Sequence, residues 1–226
     1  MSGTVDRKVT LGETLRRRIV SMELAPGAVV DEQQIAEEFG LSRPPVRELM
    51  RQLAAEGYLE LEPNRPARVT SMDLQSLRTF FQAAPLIYIA TTQLAATSAT
   101  PAEIAKLKKV QQDFRAAIEA DDIAARVYNN DQFHLEIGRM AHNPYLMPSL
   151  RRLLIDHARL GMTFYHPTSP ETQENLAEAV EQHDEIIDAI ERRDPARAGE
   201  LIRAHWEISR RRMADFAAPE GLEVTV

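Results

Sequence analysis

Apolar residues in the first part of the chain recur at helical spacing in three short runs separated by turn residues. Leu11, Leu15, Ile19 and Met22 mark one face of a helix over residues 9–22, with Arg16, Arg17 and Arg18 on its flanks and a loose polar start at 1–8. Pro26-Gly27 breaks the run. Asp31 and Gln34 have capping-box spacing, and Ile35, Ala36 and Phe39 place a second, short helix that Gly40 closes. The third run, residues 41–57, starts with Ser42 as N-cap and prolines 44 and 45 in a first turn, where backbone N–H groups lack helical partners. Gly57 ends it in a position suited to the left-handed conformation. Val46, Leu49, Met50 and Leu53 form its apolar face, while Arg43, Arg47 and Arg51 recur every four residues along another. After Gly57 the period changes: residues 58–62 alternate, 63–66 turn, and 67–70 return, which predicts a hairpin. Two helices, a third helix at once and a basic-tipped hairpin make a winged helix-turn-helix over residues 1–72.

From Asp73 onward only helical patterns remain. Thr100-Pro101, Ser169-Pro170 and Asp194-Pro195 each set a capping residue before a proline. They divide the second part into six helices, about 73–98, 101–119, 122–141, 145–165, 170–192 and 195–215. The tail from about 217 lacks a helical pattern and is expected to be flexible. The fold class is therefore mainly α, a small α+β winged helix-turn-helix followed by an all-α bundle over 73–226 that can enclose a ligand cavity between helices.

Charge changes this picture only when split by position. The chain carries a net charge of −7, but residues 1–72 hold ten Lys and Arg against eleven Asp and Glu, so the negative balance sits downstream. Nucleic-acid binding depends on the local basic footprint, and the overall sum neither establishes nor excludes it. The absence of cysteine removes disulfides, cysteine nucleophiles and thiolate metal sites. The most apolar stretch, residues 83–96, is too short for a bilayer, so no membrane association is expected, and with no secretory signal pattern the expected compartment is the cytoplasm.

Two groups of residues carry candidate chemistry. The arginine stripe suits phosphate oxygens and guanine edges in a major groove, although a solvated charged face gives the same spacing. In the bundle, three apolar stripes each contain one histidine: Asn130 and His134 with Val127 and Ile137, His183 with Leu176 and Ile187, and His205 with Leu201 and Ile208. Taken singly, each is a hydrogen-bonded core histidine. Taken together, they present three imidazoles whose burial a shared divalent metal would satisfy. Asp131, next to Asn130, faces away from its stripe and is not expected as a ligand; His142, His157 and His166 receive no role.

Pro26-Gly27, Ile35-Ala36-Glu37, Leu41-Ser42-Arg43, Pro45-Val46-Arg47-Glu48, Leu53-Ala54 and Glu56-Gly57 resemble, in order and spacing, the DNA-binding domain of GntR-type bacterial transcription regulators. The resemblance implies DNA contacts by Arg43 and Arg47 and a wing tip, Asn64 and Arg65, that reaches the minor groove; the stripe itself adds Ser42 and Arg51 as candidate DNA contacts. Gln33 stands where some members have arginine, and Pro66 where a wing glycine is common. Asn130 to His134, Ala141-His142-Asn143, and the two later histidines with Asp184 and Trp206 resemble the FCD effector-binding domain of the FadR subgroup. Metal-binding members hold a divalent ion, commonly zinc, nickel or manganese, at positions matching Asn130, His134, His183 and His205, with aspartate where this chain has Asn130.

A cytoplasmic homodimeric repressor is thus expected, binding operator double-stranded DNA and responding to a small carboxylic acid at or near the metal. Tyr88, Arg151 and Arg152 are candidate effector contacts. Two other readings stay open: a regulator for which the ion itself is the signal, and a metal-dependent hydrolase.

Overall fold

The computed structural model describes residues 2–164 and 170–217, so the Ser169 cap, His166 and the tail past 217 lie outside the described residues. The chain divides into two compact units, 1–73 and 74–226. In the first, α1 (Ser2–Val20), α2 (Glu32–Glu38) and α3 (Arg43–Glu56) surround a core to which Leu11, Leu15, Ile19, Val46 and Leu53 contribute fully buried side chains. Gly57 closes α3 at φ 93°, with its N–H on the Ala54 carbonyl and that of Tyr58 on Leu53. Strands β1 (Val29–Val30), β2 (Leu59–Glu60) and β3 (Ala67–Val69) form an antiparallel sheet in the order β1-β3-β2, pairing Val29 with Arg68 and Leu59 with Val69.

Two features depart from the sequence reading. The first helix begins at Ser2 rather than near residue 9 and ends at Val20, because Met22 adopts a left-handed turn at φ 63°. Its start is tied down by polar contacts, Arg7 to the Gly40 carbonyl at 2.9 Å and Lys8 to Glu48 at 3.0 Å, which an apolar period does not register. Strand β1 was not expected, since two residues are too few to display alternation.

The second unit contains α4 (Leu74–Ser98), α5 (Pro101–Glu119), α6 (Ile123–Met140), α7 (Leu146–Phe164), α8 (Pro170–Glu191) and α9 (Pro195–Ala217). Helix α4 packs against α6, α7, α8 and α9, while α5 packs against α6 and α8. Thr100 and Glu103 complete a reciprocal capping box, and Asp194 accepts from the Arg197 N–H at 2.9 Å, so both caps fix where α5 and α9 begin. Val127, Asn130, His134 and Ile137 of α6 are all buried, as are Leu176, His183 and Ile187 of α8 and Leu201, His205 and Ile208 of α9. The three histidine-bearing stripes therefore converge on one core. Among the described residues, no helix is long and apolar enough to cross a membrane.

Candidate functional site

On the first unit, α3 offers a basic face whose arginines are not all alike. Arg16 and Arg18 of α1 are committed to structure, paired in two-pronged fashion with Glu56 and Glu38. Arg43 and Arg47 of α3 converge on a single carboxylate: Arg43 Nε donates to Glu32 Oε1 at 2.8 Å, and Arg47 donates to both Glu32 oxygens at 2.8 and 3.0 Å. Asp31 makes this possible. By capping α2 through the N–H groups of Gln33 and Gln34, it fixes Glu32 in the first turn. Hydrogen bonds from Arg47, then Arg43, hold the Glu32 carboxyl below its ordinary range. Ser42 occupies the N-cap position but makes no side-chain cap bond, and Arg51 is exposed one turn beyond Arg47. At the hairpin tip Asn64 turns the chain at φ 60° and Arg65 pairs with Glu62 at 2.6 Å. These residues form one exposed, arginine-bearing surface with a separate basic tip.

In the second unit the ligand nitrogens of His134, His183 and His205 lie within 4.8 Å of one another. Second-layer amides decide how two of these rings are protonated. Gln111 donates its Nε2 to the Val180 carbonyl and to Asp184 Oδ1, so its Oε1 is what faces His183 Nδ1 at 2.9 Å. Gln182 likewise donates Nε2 to Glu178 and presents Oε1 to His205 Nδ1 at 3.2 Å. Each amide oxygen can only accept, so both Nδ1 atoms carry the proton and both Nε2 atoms carry lone pairs. Those two lone pairs confront each other at 3.2 Å in a buried core. Without a cation the arrangement is repulsive. Two nitrogens on one tetrahedral zinc would be about 3.4 Å apart, so the donors fit a divalent metal. Phe133 stacks on the His183 ring at a 3.7 Å centroid distance and fixes its plane. Asn130 is buried on α6 one turn before His134 and supplies a neutral carbonyl oxygen on the same stripe.

Beside the cluster is a tight cavity, with no room for a water-sized guest as its side chains stand, lined by Tyr88, His134, His157, Ile202, His205 and Trp206. Tyr88 therefore lies where effector contact was expected. Arg151 and Arg152 do not: neither lines the cavity, Arg151 is exposed, and Arg152 is engaged by Asp156 at 2.6 Å. Two residues without an expected role do belong here. His157 is buried, its Nδ1 3.2 Å from the Tyr88 hydroxyl and 3.7 Å from Asp131 Oδ1. Asp131 thus turns a buried oxygen inward, contrary to its reading as an outward residue, because α7 covers that flank of α6.

Burial drives all four imidazoles toward the neutral form. It holds His157 down to about 4 and His205 to about 3, and it lowers His134 and His183 well below the usual imidazole value, with neighbouring histidines adding to the effect. Neutral rings are ready ligands. In the unfolded chain each would titrate near 6.5, so as pH falls below that value the unfolded state gains protons that the folded state refuses. Metal-free protein should therefore lose stability between pH 6.5 and 5, by up to about 1.4 kcal/mol per pH unit for each histidine. Chemical denaturation at pH 7.5 and 5.2 with a chelator present checks this; equal midpoints would mean the rings are not held neutral.

Comparison with known proteins agrees with this architecture. Residues 80–208 match the FCD domain family, and residues 8–69 match the family of bacterial regulatory proteins, gntR family. The chain is 28% identical over 182 residues to the HTH-type transcriptional repressor RspR of Escherichia coli, covering 80% of this chain and 77% of that protein. It is 32% identical over 206 residues to a probable D-xylose utilization operon transcriptional repressor of Paenarthrobacter nicotinovorans, covering 88% and 86%. Among solved structures, E. coli McbR/YncC superposes with a TM-score of 0.78 at 20% identity, over 92% of this chain and 97% of that one, a likeness of fold.

Proposed function

The chain belongs to the GntR family of bacterial transcription regulators, with an FCD domain behind its winged helix-turn-helix, and on that premise we propose that a metal-dependent small-molecule site in the bundle controls its binding to operator DNA. The DNA-binding part of this statement follows from the family. The control rests on one observation above all: the buried Nε2 lone pairs of His183 and His205 facing each other at 3.2 Å, with His134 beside them. His134, His183 and His205 would hold the ion, with Asn130 as a neutral oxygen donor. When bound, a divalent ion supplies positive charge and open coordination positions for an anionic guest.

A small carboxylic acid as guest requires the side chains around this tight cavity to move apart, and it requires the metal. Among the described residues no lysine or arginine lines it, and its histidines are held neutral, so an anion bound there depends on the metal for countercharge. Tyr88 carries the cavity wall into α4, which begins at Leu74, directly after the DNA-binding unit ends at residue 73. A guest that prefers one packing of α4 against α6, α7 and α9 biases the protein toward that arrangement, and coupling requires only that operator DNA prefer the other. Action as a homodimer fits the way such domains read two half-sites about one DNA turn apart. Repression, relieved by the acid, is the sign that the repressor names of two relatives support.

A thermal-shift series with small carboxylic acids, with and without zinc, nickel or manganese, tests the reading. An acid present at a hundred times its dissociation constant should stabilise the metal-loaded protein by about 2.7 kcal/mol and release operator DNA. The same acid should do nothing to the chelated protein. Stabilisation by metal alone, with no acid effective, would make the ion the signal instead.

A further inference from the structure

Behind the proposed metal site, two imidazoles are backed by the same succession of groups. His183 Nδ1 meets Gln111 Oε1, and Gln111 Nε2 donates to the Asp184 carboxylate. His205 Nδ1 meets Gln182 Oε1, and Gln182 Nε2 donates to the Glu178 carboxylate. The two chains of contacts differ in their surroundings. Gln111 is only 3% exposed, whereas Gln182 is half-buried and Glu178 exposed, so water competes freely for the amide in the second chain and poorly in the first.

An amide behind an imidazole can stand two ways round, and only one of them serves a metal. With Oε1 toward His183, the ring carries its proton on Nδ1 and turns the Nε2 lone pair toward His205. Reversed, the amide would donate to Nδ1, and the ring proton would sit on Nε2, where it blocks an ion. Two acceptors oppose that reversal: the Val180 carbonyl, 3.0 Å from Gln111 Nε2, and Asp184 Oδ1, 3.1 Å from it. The second carboxylate oxygen of Asp184 accepts from Arg115. Asp184 therefore spends one oxygen on each neighbour, and both neighbouring groups can only donate. Asp184 and Arg115 line an open groove between α5 and α8, so neither is needed to fill the core.

We propose that Asp184 is a positioning residue of the metal site: its carboxylate, shared between Gln111 and Arg115, locks the Gln111 amide and thereby fixes the tautomer in which His183 binds an ion. The assignment rests on the metal site proposed above. Asp184 acts on the ion only through Gln111 and His183, as the outer partners of metal-ligating imidazoles do elsewhere.

Asp184→Asn tests this in the full-length protein, because asparagine has a single acceptor oxygen. Arg115 claims that oxygen, the new amide nitrogen faces Gln111 Nε2, and Gln111 is pushed toward its reversed state. Zinc affinity, measured by chelator competition, should fall about tenfold. Nitrogen chemical shifts of isotope-labelled histidines in the metal-free protein should show His183 passing from the Nδ1–H form to a mixture of both forms. Adding Arg115→Leu releases the asparagine oxygen to Gln111, and should return zinc affinity to within about threefold of the unaltered protein, a rescue that a packing role does not give. Glu178→Gln removes an equal charge from an exposed position on α8 and should change zinc affinity by less than about twofold. An unchanged His183 tautomer in Asp184→Asn, a loss of affinity that Arg115→Leu leaves in place, or an equal loss in Glu178→Gln overturns the assignment while leaving the metal site standing. No zinc bound by the unaltered protein overturns both.

Discussion

Replacing His183 by alanine is expected to lower affinity for zinc or nickel by more than about a hundredfold, while operator affinity in the absence of metal stays within about twofold of the unaltered protein. His183 is fully buried, its Nδ1–H is fixed by Gln111, and its plane is fixed by the ring of Phe133. Deleting it removes one of the two opposed lone pairs at the centre of the cluster. A graded result should accompany it: Gln111→Leu keeps every ligand but abandons the His183 Nδ1 proton, and should weaken the metal about ten- to a hundredfold. His205→Gln provides a variant of nearly conserved volume should the alanine variant pack poorly. The measurements are metal content by mass spectrometry, chelator competition for affinity, and fluorescence anisotropy for operator binding. One ion still bound per chain in the His183 variant would remove it from the ligand set and with it the proposed metal site.

The parts of this molecule that follow from periodicity are legible without coordinates. The α3 face and the bundle boundaries are of this kind, as are the stripes that bury His134, His183 and His205, because a helix that must hide one face announces that face every three or four residues. Contacts that depend on which neighbour covers a flank are not announced. Asp131 follows Asn130 by about 100° around α6, so a wheel of α6 alone sends it outward; only α7 lying over that side leaves Asp131 Oδ1 buried, 3.7 Å from His157 Nδ1. Likewise, the pair Arg151-Arg152 is visible as charge but not as location, and it lies off the cavity, engaged in part by Asp156. The convergence of Arg43 and Arg47 on Glu32 joins residues eleven and fifteen positions apart on two helices, and no spacing rule within either helix contains it. The aspects of the candidate site most specific to this chain are thus the ones set by packing between helices.

That convergence bears on the second large effect, the loss expected on Arg47→Ala. If Arg47 reads a base edge, the substitution should reduce operator affinity about ten- to a hundredfold and also shrink the ratio between operator and unrelated DNA. Arg51→Ala, if its partner is a phosphate, should weaken both kinds of DNA about equally and lower the salt dependence by about one ion. The two-pronged contact with Glu32 shows the Arg47 guanidinium already extended as a fork, the geometry that a guanine edge would receive. Arg47→Lys separates shape from charge, since lysine keeps the positive charge but not the fork. It should retain binding to unrelated DNA and fail to restore operator preference. Anisotropy titrations of the three variants against operator and scrambled duplexes, at two salt concentrations, distinguish these roles. Preference retained in Arg47→Ala would mean that α3 reads sequence through other side chains and that Arg47, with Glu32, serves the protein surface instead.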